Sequence, residues 1–578
     1  MYKTTSWHVN EGSKGTAGQA ALPPPCQEVS FMLATPTPRR QARILRWRES
    51  PWNDQHPDWL RIDQELPASH RVRLIARVVD SLDLLAHLPD FYAGFGSSSW
   101  HPALLLKLIL YELDRGTLSP TIWCADCREL DPVKWLLHGA RPSRATLYEA
   151  RNRFSPELLE RLNQQVLQEA RTDGVCPANR ASLDGTFVAA RGSRHRLITL
   201  ARLDKRLALL EQVIAADDAV ATDCGGGPPV GRPKWMSCSP QGRKNQRKRY
   251  EAMRQRLLVK QEQRRQHPTH RAKAKRRSPE KVVICVTEPE AAVGLDKFKV
   301  FRPLYNVQLM RDLDSPFLLG YGVFPRVTDA GLLPEMLKRT KRLTGKMPKA
   351  VLADGIYNSV ADLLVCQQEE VTLYAPVKVA ATVAIAAEPK QKEGVGEPVV
   401  VAATAAVGTV PEPRRQPLPM AEEKVKRYYG KERFIWDAQT RTYTCPAGKE
   451  MKKVESSREK RGNGEEMSVE RYGTKECVGC EKRGECTRSK EGRRIKRMAD
   501  EPLVEAMRER MASAEGKTLY KKRKETIERE FADAKEHRGL RRFSGHGEKH
   551  AEKQVGLLVL LTNGKNLHRL RQVATRAA

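Results

Sequence analysis

A chain of 578 residues with 102 Lys and Arg against 70 Asp and Glu has a net charge of +32. Such a surface repels cations and attracts polyanions, nucleic acid or an anionic membrane. The longest apolar stretch, Val555–Thr562, is far short of the roughly 18 residues a membrane span needs, and Met1–Ser13 lacks an apolar signal core, so membrane insertion and signal-directed export are excluded.

In chain order, residues 1–55 are rich in Pro, Gly, Ser and Arg and read as a disordered basic lead. Residues 56–175 turn helical: Leu74, Val78, Val79 and Leu82 recur at helix spacing, and Ala103–Leu113 is strongly apolar. Ser119-Pro120 opens a short helix, and Ser143 caps another that carries Arg144, Arg151 and Arg153. Short helices ending in an Arg-bearing one suit an all-α, helix-turn-helix-like DNA-binding domain with Arg144 and Arg151 on phosphates, or an ordinary bundle with a solvated charged face.

Residues 176–377 change character. Arg180–Ala189 reads as a strand carrying Asp184, and a helical pattern covers Leu197–Ala215. Between Arg243 and Arg277 lie fifteen Lys and Arg and two Glu, either an arm on phosphates or a solvated helix. Further strands fit Lys281–Thr287, Tyr305–Arg311 and Phe317–Val323, then a helix over Asp329–Leu343 and a buried strand over Lys349–Ala353 that ends at Asp354. A helix (Ser359–Gln368) and a strand (Val371–Pro376) follow. The pattern predicts an α/β mixed sheet flanked by helices, interrupted by a basic insertion over 197–280. Residues 378–423 are an Ala/Val/Pro/Glu-rich low-complexity linker. Residues 424–498 form a small cysteine-bearing insertion, and 499–578 carry two more helices, Lys517–His537 and Gly547–Gln572.

Twelve cysteines are too few for a disulfide scaffold and fit a reducing cytoplasm. Four of them concentrate at Cys445, Cys477-x-x-Cys480 and Cys486. The x-x spacing lets two sulfurs meet one ion, and four thiolates satisfy tetrahedral Zn²⁺; the alternative is a set of reduced, unliganded thiols. Cys124 and Cys127 share the spacing but lie in an apparent helix without a second pair, as a packed pair would.

Asp184 and Asp354 each end an apolar run and each precede a Gly. Singly, such residues are usually turn formers. A third acid lies in Tyr520–Lys535, where Lys524, Glu528 and Lys535 fall on one helix side beside an apolar stripe of Ile527, Phe531 and Ala534. Three carboxylates can hold two divalent ions about 3.5–4 Å apart for phosphodiester chemistry, and hard oxygen donors suit Mg²⁺. Neighbouring Arg and Lys would neutralise phosphate oxygens.

Here the chain resembles the DDE transposases of bacterial insertion sequences, in the branch with a Tyr/Arg/Glu/Lys third motif. The stretches that carry the resemblance are Ser182–Thr186, Tyr305–Gln308, Thr328–Gly331, Leu352–Ser359, Tyr520–Lys535 and His537–Phe543. The resemblance implies a ribonuclease-H-like catalytic core, with Asp184, Asp354 and Glu528 as ligands of two Mg²⁺ (or Mn²⁺) ions. It implies phosphate contacts for Tyr520, Arg523 or Lys524, and Lys535. It further implies an enzyme of the bacterial cytoplasm and nucleoid that binds terminal inverted repeats in double-stranded DNA, cleaves there, and joins the 3′-hydroxyl ends to target DNA, as a homodimer in a synaptic complex. The family pattern Glu-Pro-x-Phe reads Glu528-Arg-Glu-Phe531 here, which leaves Glu525 and Glu530 as rival acids. It also leaves open a catalytically decayed DNA-binding repressor.

Overall fold

The computed structural model describes residues 47–84, 86, 98–220, 232–266, 278–377, 428–460 and 466–577. The linker over 378–423, the lead up to residue 46 and the end of the basic run at 267–277 lie outside the described residues. Residues 47–55, expected within the disordered lead, are tied down: Arg48 N–H donates to Ser99 O at 2.8 Å and Trp52 N–H to His138 O at 3.0 Å.

Seven helices open the chain: α1 (Pro57–Glu65), α2 (Arg71–Asp80), α3 (Pro102–Asp114), α4 (Pro120–Glu129), α5 (Asp131–Leu136), α6 (Arg144–Arg153) and α7 (Pro156–Thr172). Their starts follow local chemistry. Proline sits in the first turn of α1, α3, α4, α5 and α7, where its missing N–H costs nothing. Ser143 and Ser155 accept from Thr146 N and Leu158 N to cap α6 and α7.

The central sheet is built from β1 (Arg180–Ala189), β4 (Ala292–Leu295), β5 (Phe301–Asp312), β6 (Leu318–Phe324), β7 (Ala350–Leu352) and β8 (Thr372–Tyr374). Its order is β4-β5-β1-β7-β8, with β6 also pairing β5. β5 is antiparallel to β1, whereas β7 is parallel to β1 and β8 to β7. Helices α10 (Leu333–Thr344) and α11 (Val360–Gln368) connect β6 to β7 and β7 to β8. Between β1 and β4, the pair β2 (Leu197–Thr199) and β3 (Val283–Cys285) supports a hairpin of α8 (Leu200–Val220) and α9 (Pro240–Gln266). The helix expected from Leu197 therefore begins three residues later, because Ile198 pairs with Ile284 and is buried. This hairpin has its own core around Leu203, Leu210, Tyr250 and Leu257.

The cysteine-bearing segment is a second sheet, ordered β13-β12-β11-β10-β9: β9 (Ile435–Asp437), β10 (Thr442–Thr444), β11 (Glu450–Lys460), β12 (Glu466–Gly473) and β13 (Ile495–Met498), with a short α12 (Arg483–Cys486). The chain then forms α13 (Glu501–Ala512), α14 (Ala514–Glu536) and α15 (Glu548–Ala577).

The N-terminal helices, expected as a separate domain, share one continuous core with the sheet. The reason is α15. Its apolar run Val555, Leu557–Leu561 is buried, with α7, α2 and α3 packed on it together with β6. Polar clamps fix the same junction. Asn563, fully buried, accepts from Leu318 N–H at 2.8 Å and donates to Leu318 O at 2.9 Å, serving the edge of β6. Asp114 at the end of α3 receives Lys565 at 2.7 Å and Arg538 at 2.5 Å.

Candidate active site

The sheet register brings two acids together. Ser182 of β1 lies opposite Leu352, the last residue of parallel β7; Asp184 lies two residues further along β1 and Asp354 two residues beyond the end of β7, and the Asp354 charge acts on Asp184. Each carboxylate accepts from the N–H of the glycine after it, Gly185 at 2.9 Å and Gly355 at 2.6 Å. Crowding accounts for those glycines. A Cβ at 185 would meet Gln308 Nε2 and Asp329 Oδ1, and one at 355 would meet Pro376 O at 2.7 Å.

Asp184 is flanked by a buried polar web. Asn306 and Gln308, both fully buried on β5, each donate to Asp329 Oδ1 at 2.7 Å. Tyr357 donates to Gln308 Oε1 at 2.5 Å. Burial pushes the Asp184 carboxyl above its usual range; Arg523 opposes this, while the charges of Asp329 and Asp354 add to it. Asp329, Asn306, Gln308 and Tyr357 were given no role from sequence, although all lie within the stretches Tyr305–Gln308, Thr328–Gly331 and Leu352–Ser359. Their apolar neighbours hid the fact that the polar side chains all turn to one point.

Helix α14 lies over β1 and β5, burying Arg523, Ile527, Phe531 and Ala534. Arg523 reaches Asp184 Oδ1 at 3.1 Å. Tyr520 is half-buried, its hydroxyl pushed up by burial with Asp354 and Asp184 contributing. Lys535 donates to Thr186 Oγ1, on the same face of β1 as Asp184. Of Lys524 only the helical backbone position is described. Glu528 is exposed; at 3.6 residues per turn it lies about 20° around the helix from Lys535 and about 160° from Glu530. Glu530 is spent elsewhere, pairing with Arg311 of β5 at 2.9 Å. Glu525 is exposed.

The remaining candidates separate. On α6, Arg144 is exposed, Arg153 pairs with Glu149 at 2.8 Å, and Arg151 is half-buried with Nε unbonded. Arg243, expected in a phosphate-contacting arm or solvated face, is 2% exposed and bonds Asp217 at 2.5 and 2.6 Å. Its partner lies 26 residues away, beyond any local pattern. Cys445, Cys477, Cys480 and Cys486 line one small pocket with Phe434 and Met451. Burial raises the Cys486 thiol, and the other three sulfurs add to the effect. Among the described residues, no group of three or more His, Cys, Asp or Glu is arranged to hold a metal ion. Cys127 is buried in α4, and Cys124 points its thiol at Pro142 O.

Two family models match. A transposase DDE domain matches residues 444–570, from the cysteine sheet through α14 and most of α15. A transposase domain, DUF772, matches residues 60–153, covering most of α1 and all of α2–α6. The strands bearing Asp184 and Asp354 lie between the two matches. No curated protein and no solved structure matches the chain. Among the described residues, no helix is long and apolar enough to cross a membrane.

Proposed function

We propose that the chain, which two transposase family models match over 60–153 and 444–570, is a DDE-type transposase of an insertion sequence, that Asp184, Asp354 and Glu528 form its nucleolytic centre, and that it acts on the inverted repeats at the ends of its own element. The observation that supports this reading most is that the Asp354 charge acts on Asp184 while α14, packed over β1, brings Arg523 to Asp184 and Lys535 to Thr186.

The hard carboxylate oxygens of Asp184 and Asp354 suit divalent cations such as Mg²⁺, although among the described residues no three such groups are arranged to hold an ion. Asp184 is a desolvated carboxylate crowded by two further acids, and such repulsion is what a bound cation relieves. Glu528, on the Lys535 flank of α14, completes the set. A bound pair of ions supplies charge stabilisation at the phosphodiester during cleavage and joining. The chain's own groups do the rest. Arg523, whose guanidinium pairs with Asp184, and Lys535 offer cationic hydrogen bonds to the phosphate oxygens. Tyr520, whose hydroxyl feels the charges of both acids, would donate to a phosphate oxygen beside them. The web of Asn306, Gln308, Asp329 and Tyr357 fixes the floor on which Asp184 and Asp354 stand. The same acids serve both the cutting of element ends and the attack of the freed 3′-hydroxyl on target DNA, with two subunits pairing the ends.

We also propose a structural Zn²⁺ at Cys445, Cys477, Cys480 and Cys486, whose thiols line one pocket without being arranged around an ion site. Four thiols sharing one pocket suit tetrahedral zinc, and the deprotonation that zinc brings would offset the raised thiol value at Cys486.

Incubation of the full-length protein with a duplex carrying the element's end and Mg²⁺ tests the proposal. Asp184→Ala and Asp354→Ala should shift the duplex in a gel yet leave it uncut. Undiminished cutting by either variant refutes the assignment, and binding without cutting by the unaltered chain assigns a decayed DNA-binding repressor instead.

A further inference from the structure

A second cationic feature lies at the far end of β1. The loop after β1, the loop before α15 and the faces of α4 and α6 enclose a cleft of about 720 Å³. Its lining includes Arg151, Arg191, Arg542, Lys549, Lys553 and two histidines, with no Asp or Glu.

The cations there meet neutral partners. Arg191 donates to Ser544 O, Arg542 to Arg191 O and Ala190 O, and Lys553 to Asn152 O. Arg151 stacks on Tyr148, with its buried Nε unbonded. The acids nearest the cleft are committed or peripheral. Glu288 bonds the His546 ring and the Gly547 N–H, and Glu157 is near Lys549 and Lys553 without a bond to either. Burial and mutual repulsion lower Arg151, Lys553 and His550 together, as in a cation cluster lacking its counter-ion.

The position matters. Phe543 N–H bonds Ala189 O, so the cleft sits at the end of β1. That is five residues beyond Asp184, roughly 17 Å along an extended strand and about half a turn of duplex DNA. Lys535, which bonds Thr186 on β1 between Asp184 and the cleft, is itself repelled by Lys297 and Arg541.

We infer that this cleft is a docking site for a backbone phosphate of the duplex whose scissile bond lies at Asp184. It clamps the DNA between the N-terminal helices and the catalytic sheet. The inference rests on the transposase reading for the identity of the polyanion, but it assigns a separate contact that does no chemistry. Both walls of the cleft belong to one rigid core through α15, so a phosphate held there fixes the duplex register relative to the acids without a hinge.

The test is duplex binding by the full-length protein across salt concentrations, read by fluorescence anisotropy on two unrelated sequences. Each phosphate contact contributes about 0.9 to the slope of log K against log salt. Lys549→Ala with Lys553→Ala, one exposed and one half-buried position on the surface turn of α15, should reduce the slope by about two on both sequences. Arg151→Gln, checked for an unchanged melting temperature, should reduce it by about one. Asp184→Ala should keep the full slope while losing cleavage, so failure at the acids is read separately from failure at the cleft. An unchanged slope in the double variant overturns the inference. So does stabilisation of the chain by inorganic phosphate that the double variant abolishes while its DNA slope stays intact, since that outcome assigns the cleft to a free anion. If the unaltered chain binds no duplex, both readings fall.

Discussion

The two sheets of this molecule are held together by different means. The central sheet lies in one apolar core that runs from Val72 in α2 to Leu567 in α15, so its strands are fixed by burial on both faces. Among the described residues, the cysteine sheet buries the apolar side chains of Phe434, Tyr443, Met451, Val469, Tyr472 and Ile495. Around them Trp436, Tyr443 and Tyr472 pack ring on ring, with Arg497 3.8 Å over Trp436. It joins the rest of the chain by ion pairs, Arg497 to Glu505 and Lys431 to Glu501, each at 2.8 Å. A core of six apolar side chains does little to offset the ordering of so many residues. The proposed chemical centre sits on the sheet buried in the larger core, and the weakly packed sheet carries the four clustered thiols.

The comparison breaks most visibly if metal is removed. Structural zinc in small domains contributes about 10–16 kcal/mol to folding. A strong chelator, or Cys477→Ser with Cys480→Ser, is therefore expected to abolish hydrogen-exchange protection across 429–498 while the central sheet stays protected. Unchanged protection of the cysteine sheet would show that it needs no ion.

Next in size is Leu560→Ala. Leu560 is fully buried where α15 joins the N-terminal helices to the sheet, and the truncation should cost about 2–5 kcal/mol. Because the core is shared, both regions should melt together at a lower temperature. Two separated transitions would restore an independent N-terminal domain.

Glu112 sharpens the same point. Fully buried beside Arg115 and Asp126, it is pushed up to about 8, chiefly by burial. The native state thus prefers the protonated form. Its contribution is intact below the ordinary carboxylate value and is lost as pH rises through about 8. Glu112→Gln should gain on the unaltered chain by a widening margin in melting temperature between pH 5 and 8. A constant margin contradicts the assignment.

The smallest effect is expected at Glu530→Gln, which weakens the pair with Arg311 but keeps a hydrogen-bond acceptor, at about 1 kcal/mol. Denaturant melts measure it.

Much of this was legible in the sequence. β1 coincides with its predicted span, Ser359 caps α11, and the Ile527, Phe531, Ala534 stripe packs on the sheet because helical spacing is a local property. What could not be read was nonlocal. The placement of Asp354 near Asp184 depends on β1 pairing with β7 across some 170 residues. Arg243 looked like a solvated or DNA-contacting cation until Asp217 folded against it. The apolar run of α15 showed that the helix is buried, but not that it joins two regions.

The most direct test concerns which side of α14 faces the chemistry. Strand cleavage at the element's end in Mg²⁺ should be compared for Glu528→Gln and Glu530→Gln, both checked for duplex binding. The account expects Glu528→Gln to lose at least about a hundredfold in rate, several kcal/mol of transition-state stabilisation, while Glu530→Gln cuts at close to the unaltered rate. Normal cutting by Glu528→Gln together with inactivity of Glu530→Gln would contradict it.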